Sequence, residues 1–363
     1  MTIAATFPAI PETERRQLLE PPSGPVRVVI DTDCHNEIDD QYALAWALLS
    51  QDVLEIEGVY AAPYSHAERG ELIRRAAELR SRGESLDGLP DPEQLAERID
   101  RLDEAGIDPN ELEFNTADVG MEKSYQEILT VFGKLGMDPG GRIFRGSPSI
   151  LESPDEPVIS PAAKHLIGRA LTDDERPLYV SAIGALTNVV SALLIEPRIA
   201  SRIVVLWTAG FPSTVRQVNR SFNMDQDLIA SKLLFDCGVP LVYLPGHHIG
   251  AQLTLSLPEV EAWVRGRGAI GDYLHRLYTH NPILQQRGIV DHFGRSWVIW
   301  DLINFAWLLE PSWVPSDLVV TPLLGDDRIW QPPPPGRHLM REAYEIDRDA
   351  IFRDLFIKLE SAP

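Results

Sequence analysis

Short apolar runs alternate along this chain with stretches of helical periodicity, and that alternation restricts the fold more than any other feature. The runs are Val26–Ile30, Leu54–Tyr60, Leu178–Ile183, Ile203–Thr208 and Leu241–Pro245. Runs this short and this continuous read as strands buried on both faces. Gln41–Leu49, Asn188–Glu196 and Asp227–Asp236 carry the helical pattern between them. The repetition predicts an α/β protein with an open, mainly parallel sheet flanked by helices. Ligands of such sheets bind beyond the carboxyl ends of the strands, so the loops that follow the strands are where chemistry is expected.

One stretch breaks the rhythm. From His66 to about Asn115 the chain is strongly charged and offers no strand. Within it, "DPEQLAERIDRLDEAGI" reads as a helix with Asp91 as N-cap, Pro92 in the first turn, and Leu95, Ile99 and Leu102 on one face. The expectation is an N-terminal extension over 1–25 and one domain over 26–363, with a helical insertion at about 66–117. That insertion is either decoration, an oligomer contact, or a lid over the site. Near the end, the run Pro332–Pro335 is a stiff surface loop, followed by a strand and a last amphipathic helix.

Composition narrows the partners. With 363 residues the chain can bury a large core. A formal charge of −21 argues against binding a nucleic-acid backbone and suits a small-molecule or cationic partner. Cys34 and Cys237 form neither a disulfide framework nor a metal-type spacing, so a reduced, cytoplasmic setting is expected. The first 25 residues do not read as a signal peptide, and no run approaches 18 apolar residues, so no membrane span is expected.

The segment "DTDCHNEIDD", Asp31–Asp40, places five carboxylates (Asp31, Asp33, Glu37, Asp39 and Asp40) in ten residues between a strand and a helix. A helix N-terminus favours the negative charge of Asp39 and Asp40. It does not account for Asp31 and Asp33 at the strand end, where further acids add repulsion. A hard divalent cation with several oxygen ligands does. Asp301 lies in the otherwise apolar "SWVIWDLINFAWLL"; a buried carboxylate there needs a helix start or a partner. Thr187 and Asn188 follow a strand, where they either cap the next helix or present a backbone carbonyl to the same cleft.

Four motifs in order across residues 26–360 resemble the nucleoside hydrolases of the inosine–uridine type. The family's D-x-D-x-x-x-D-D stands here as "DTDCHNEIDD", two residues longer. Its Gly-Pro-Leu-Thr-Asn element stands as "GALTN", its Phe-Asn element as "SFNMDQD", and its late His-Asp-Pro-Leu element as "WDLI". The resemblance implies Ca²⁺ held by Asp33, Asp40, the Thr187 carbonyl and Asp301. It further implies Asp33 as the general base toward water, with Asp39 and Asn223 on ribose hydroxyls. The implied reaction is calcium-dependent hydrolysis of the N-glycosidic bond of a ribonucleoside or modified nucleoside, with inversion, giving free base and pentose. A dimer or tetramer is implied as well. The alternatives are a nucleoside- or ribose-binding protein without catalysis, and a hydrolase of another glycosidic bond.

Three departures mark this chain. Trp300 stands where the family often has His, and Ser221 where it often has Glu. The loop "GVYAAPYSHAERG" lacks the usual Asn, which leaves Tyr64, Ser65 or His66 to take part. The leaving-group proton therefore falls to His35, His247, His248 or His292, or to none of them. Trp300 either stacks on a purine or belongs to the core, and Arg295 and Arg341 either meet a polar leaving group or are solvated. Asn219 and Arg220 either line the sugar site or turn a surface loop. The substrate-binding set expected from these readings is Asp39, Asn223, Asn219, Trp300 and His35.

Overall fold

The computed structural model describes residues 7–281, 283–284, 287–288 and 296–362; the candidates His292 and Arg295 lie outside them. In chain order its first elements are α1 (Glu12–Leu18), β1 (Val26–Thr32), α2 (Asp39–Leu48), β2 (Leu54–Ala61), α3 (Ala67–Ser81), α4 (Pro92–Glu104), α5 (Ala117–Lys134) and β3 (Ile143–Arg145). There follow α6 (Pro161–Ala170), β4 (Leu178–Ala182), α7 (Thr187–Ile195), β5 (Ile203–Ala209), α8 (Phe222–Gln226), α9 (Leu228–Asp236) and β6 (Leu241–Pro245). The last third holds β7 (Thr254–Ser256), α10 (Leu257–Trp263), α11 (Gly268–Thr279), β8 (Ser296–Val298) and α12 (Leu302–Leu309). It ends with β9 (Ser316–Val320), β10 (Leu323–Leu324), β11 (Trp330–Gln331), β12 (Leu339–Ala343) and α13 (Arg348–Glu360).

Eight strands make one sheet in the order β3-β2-β1-β4-β5-β6-β12-β9, parallel throughout except for the antiparallel edge pair β12 and β9. Every residue of β1, β4, β5 and β6 is buried, as expected of strands covered by helices on both faces. Two apolar clusters, one on either side, account for this. One gathers α2, α12 and α13 residues such as Trp46, Trp307 and Phe352; the other gathers Leu166, Val190, Trp207 and Phe235.

From β1 the chain steps outward to β2 and β3, then returns to the other side of β1 as β4. Asp31 in β1 is consequently in register with Tyr60 on one side and Ala182 on the other. The order reverses between β1 and β4, and helices diverge there to leave a crevice at the strand ends. Two wholly or almost wholly buried helices, α2 and α12, begin at that crevice.

α3 and α4 pack against one another through their own apolar cluster of Ile73, Ala76, Ile99, Leu102 and Leu112. The expected face of α4 is present, with Ile99 and Leu102 buried. Asp91 differs from expectation. It precedes α4 in the left-handed conformation (φ +48°) and makes no capping bond, its carboxylate being turned to Arg220 instead. Among the described residues no helix is long and apolar enough to cross a membrane.

Candidate active site

The carboxyl ends of β1, β4, β5 and β6 open into a cleft that holds about 850 Å³ with its solvent-filled mouth. Each strand contributes the residue at or just past its end: Asp33, Ile183, Ala209 and His247 all line it. Asp39 and Asp40 enter from the first turn of α2, and Asp301 from the N-cap of α12. Both helix starts thus direct their positive ends at the same floor, which offsets part of the repulsion among the acids.

That floor is buried and crowded. Asp33, Asp39, Asp40 and Asp301 are at most 5% exposed. One oxygen from each of Asp39, Asp40 and Asp301 lies within 4.8 Å of the others. Burial first, and then the neighbouring carboxylates, push all four well above the usual carboxylate range. Asp31, buried behind them and held by the Asn188 amide at 2.8 Å, is pushed up to about 7, again chiefly by burial. The close approach of Gly184 to Asp33 explains the glycine of "GALTN". A Cβ there would lie 3.0 Å from Asp33 Oδ1 and 3.1 Å from its backbone nitrogen.

The donor set fits a hard divalent cation. Asp33 Oδ2 and Asp39 Oδ1 are buried with no hydrogen-bond partner among the described residues, and none of the four floor carboxylates has an ion-pair partner there. Uncompensated buried carboxylates are expensive, and several convergent oxygens are what such a cation takes.

The walls differ from the floor. Asn223, in the first turn of α8, is fixed by its amide, which donates to the carbonyls of Ile183 (3.0 Å) and Thr208 (3.1 Å). Thr208 is held in turn by Asn304 of α12, whose amide also donates to Ser181 Oγ (3.2 Å) and the carbonyls of Ala182 (3.1 Å) and Leu206 (3.3 Å). Trp300 and His247 also line the cleft, edge to face with ring centres 5.9 Å apart. Burial lowers the His247 pKa, so its imidazole is neutral at pH 7. Arg69, Arg220 and Arg287 rim the mouth.

The cleft therefore brings together Asp33, Asp39, Asp40, Asp301, Asn223 and Trp300 from the expected set. Three other expected residues lie elsewhere. Thr187 lies in the first turn of α7, its hydroxyl donating to Asp227 at 2.7 Å, and does not line the cleft; Ile183, four residues earlier, does. His35 is exposed outside the cleft, its Nδ1 3.0 Å from the Tyr64 hydroxyl. Asn219 is fully buried, bonded to the Phe211 nitrogen (2.6 Å) and the Arg328 carbonyl (2.8 Å), and shapes the loop rather than the cleft. Arg341 is likewise a packing residue, tied to the carbonyls of Leu19 and Ser316. Tyr64 and His66 line a neighbouring hollow. Sequence reasoning missed Ile183, Arg69 and Arg287. A backbone carbonyl leaves no mark on a sequence, and arginines in a charged segment do not stand out.

Comparisons with known proteins agree with this architecture. Residues 28–347 match the family model described as inosine-uridine preferring nucleoside hydrolase. The fold is similar to a purine-preferring ribonucleoside hydrolase from Gardnerella vaginalis (16% identity, TM-score 0.63, 93% of this chain and 98% of that one). It is also similar to an inosine-uridine preferring nucleoside hydrolase from Bacillus anthracis (17% identity, TM-score 0.57, 92% and 99%). An inosine-guanosine nucleoside hydrolase shows the same likeness (13% identity, TM-score 0.61, 93% and 99%). No curated protein sequence matches the chain. With the match covering most of its length, the chain belongs to the inosine-uridine preferring nucleoside hydrolase family and is an N-glycosyl hydrolase of that type.

Proposed function

We propose that this protein hydrolyses the N-glycosidic bond of a ribonucleoside in a calcium-dependent reaction, with Asp33 as general base. The observation that carries the reading is the four-aspartate floor at the sheet's switch point, with two buried carboxylate oxygens that have no hydrogen-bond partner among the described residues. Asp33, Asp39, Asp40 and Asp301, with the Ile183 carbonyl, would hold the cation. When bound, calcium would supply positive charge that orders a sugar diol and makes water more acidic.

The chain's own residues divide the remaining work. Cleavage of a glycosidic bond passes through an oxocarbenium-like state, and a floor of carboxylates stabilises the cationic sugar. Asp33, at the strand end, accepts the proton of the attacking water. Asn223, locked by two carbonyls, and Asp39 position the ribose. His247 is the histidine that lines the cleft among the described residues, and in its imidazolium form, a minority at pH 7 because burial lowers its pKa, it would give its ring proton to the departing base and be left neutral. Trp300 offers an apolar face to that base.

A nucleoside panel followed by chromatography of free base tests the activity, and chelation tests the metal. Full activity after exhaustive calcium removal sinks the metal reading. Asp33→Asn is expected to keep the fold and lower kcat by roughly 10²–10⁴-fold. An equally active variant removes Asp33 as base. His247→Ala is expected to cost about a hundredfold in kcat on natural nucleosides, while sparing an aryl riboside whose leaving group needs no proton. Equal losses on both substrates would assign His247 a packing role.

A further inference from the structure

The mouth of the cleft has the opposite charge to its floor, in a chain with 54 acidic and 33 basic residues. Arginines converge there from separate segments: Arg69 from the first turn of α3, Arg220 from the residue before Ser221, and Arg287 from the segment after α11. Arg98 of α4 stands close behind: burial first, and then the charges of Arg69 and Arg287, push its pKa down to about 10. Arg287 is paired with Glu37 at 2.9 Å and Arg220 with Asp91. Arg69 has no ion-pair partner among the described residues, and its guanidinium lies 5.7 Å from the centre of the Phe222 ring.

Like charges gathered at one edge of a cleft repel, so their convergence calls for an anion. Phe222, which lies beside the Arg69 guanidinium, has a second ring against it. His66 is 4% exposed, its ring tilted against Phe222 with centres 5.2 Å apart, and both its ring nitrogens lack a partner among the described residues. His66 lines the neighbouring hollow, while Phe222 and the guanidinium groups of Arg69, Arg220 and Arg287 line the cleft itself. Ser221, Asn223, His247 and Trp300 line the same cleft. Arg69 and Arg220 are exposed while the aspartates are buried, so depth separates the two charges.

We propose that the substrate is a phosphorylated ribonucleoside, a nucleoside monophosphate, whose phosphate is held at the mouth by Arg69 with Arg220 and Arg287 while its ribose sits on the acidic floor. Guanidinium forks match phosphate oxygens bidentately, which suits them to this task. Ser221 leaves the phosphate side free of the carboxylate that would repel it. The inference rests on the hydrolase reading above, but its recognition half is measurable without turnover.

The experiment is calorimetric binding and steady-state hydrolysis with calcium in excess. It compares uridine and adenosine with their 5′-monophosphates, and with orotidine, whose anionic group sits on the base. The expected result is at least tenfold tighter binding and higher kcat/KM for the monophosphates than for the parent nucleosides. Arg69→Ala should shrink that ratio about ten- to a hundredfold, Arg69→Lys should restore part of it, and the exposed Arg198→Ala should leave it unchanged. Monophosphates bound no better than nucleosides overturn the proposal while leaving the hydrolase reading intact. A preference for orotidine alone also overturns it, by placing the anion on the base. Preferential monophosphate binding without any base release supports the ligand class and refutes the hydrolase reading instead.

Discussion

His66 sits dry between Tyr64 and Phe222, and burial followed by the charges of Arg69, Arg98 and Arg287 lowers its pKa to about 4. Its unfolded value is near 6.5, so the unfolded chain takes up the proton first. The stability this ring contributes is therefore fully present above pH 6.5 and is lost as pH falls from there through about 4. His338 shifts the same way, to about 4, chiefly by burial. His66→Phe is expected to recover roughly 2–3 kcal/mol of the loss between pH 7 and pH 4 in urea titrations, leaving the part due to His338. An unchanged pH dependence would place His66 in a wetter setting. At this scale the sequence was partly legible. Asp33, Asp40 and Asp301 stand out because acids beside apolar runs need a reason. The motif match expects Thr187 to offer its carbonyl; its hydroxyl donates to Asp227, and it does not line the cleft. Ile183 lines the cleft and its carbonyl accepts from Asn223, neither of which its apolar side chain announces.

The elements most tightly coupled to the cleft are α12 and the strand ends of β4 and β5, and Asn304 is the connection. Its amide and carbonyl engage Ser181, Ala182, Leu206 and Thr208, all fully buried or nearly so. Asn304→Leu would leave those groups without partners in a dry interior. The expected cost is about 2–4 kcal/mol in urea denaturation, with kcat falling because Thr208 and the Asn223 it anchors both shift. A loss under 1 kcal/mol would mean water replaces the amide. The strands were legible as elements because continuous apolar runs bounded by turns have few alternatives in a parallel sheet. The start of α4 was less so. Asp91 and Pro92 form an ordinary helix-start signal, yet a distant arginine claims the aspartate, and local pattern cannot register a partner 129 residues away.

At the scale of the whole molecule, βα repetition made the fold class plain, while strand order stayed hidden, because crossovers leave no local trace. That order decides the chemistry. β1 lies between β2 and β4, so residues near 33 meet residues near 183 only after the chain has travelled out to β3 and back. Asp301 joins them from α12, and the tail must still add β12 and its partner β9 to complete the sheet. A cleft drawn from positions 33 to 301 has no early fragment that can serve as a smaller version of itself. During synthesis or refolding, the first half of the chain can acquire helices and strands but cannot assemble the proposed cation site. The acidic loop must spend that interval as solvated charge, and it becomes a site only when the far end of the chain arrives.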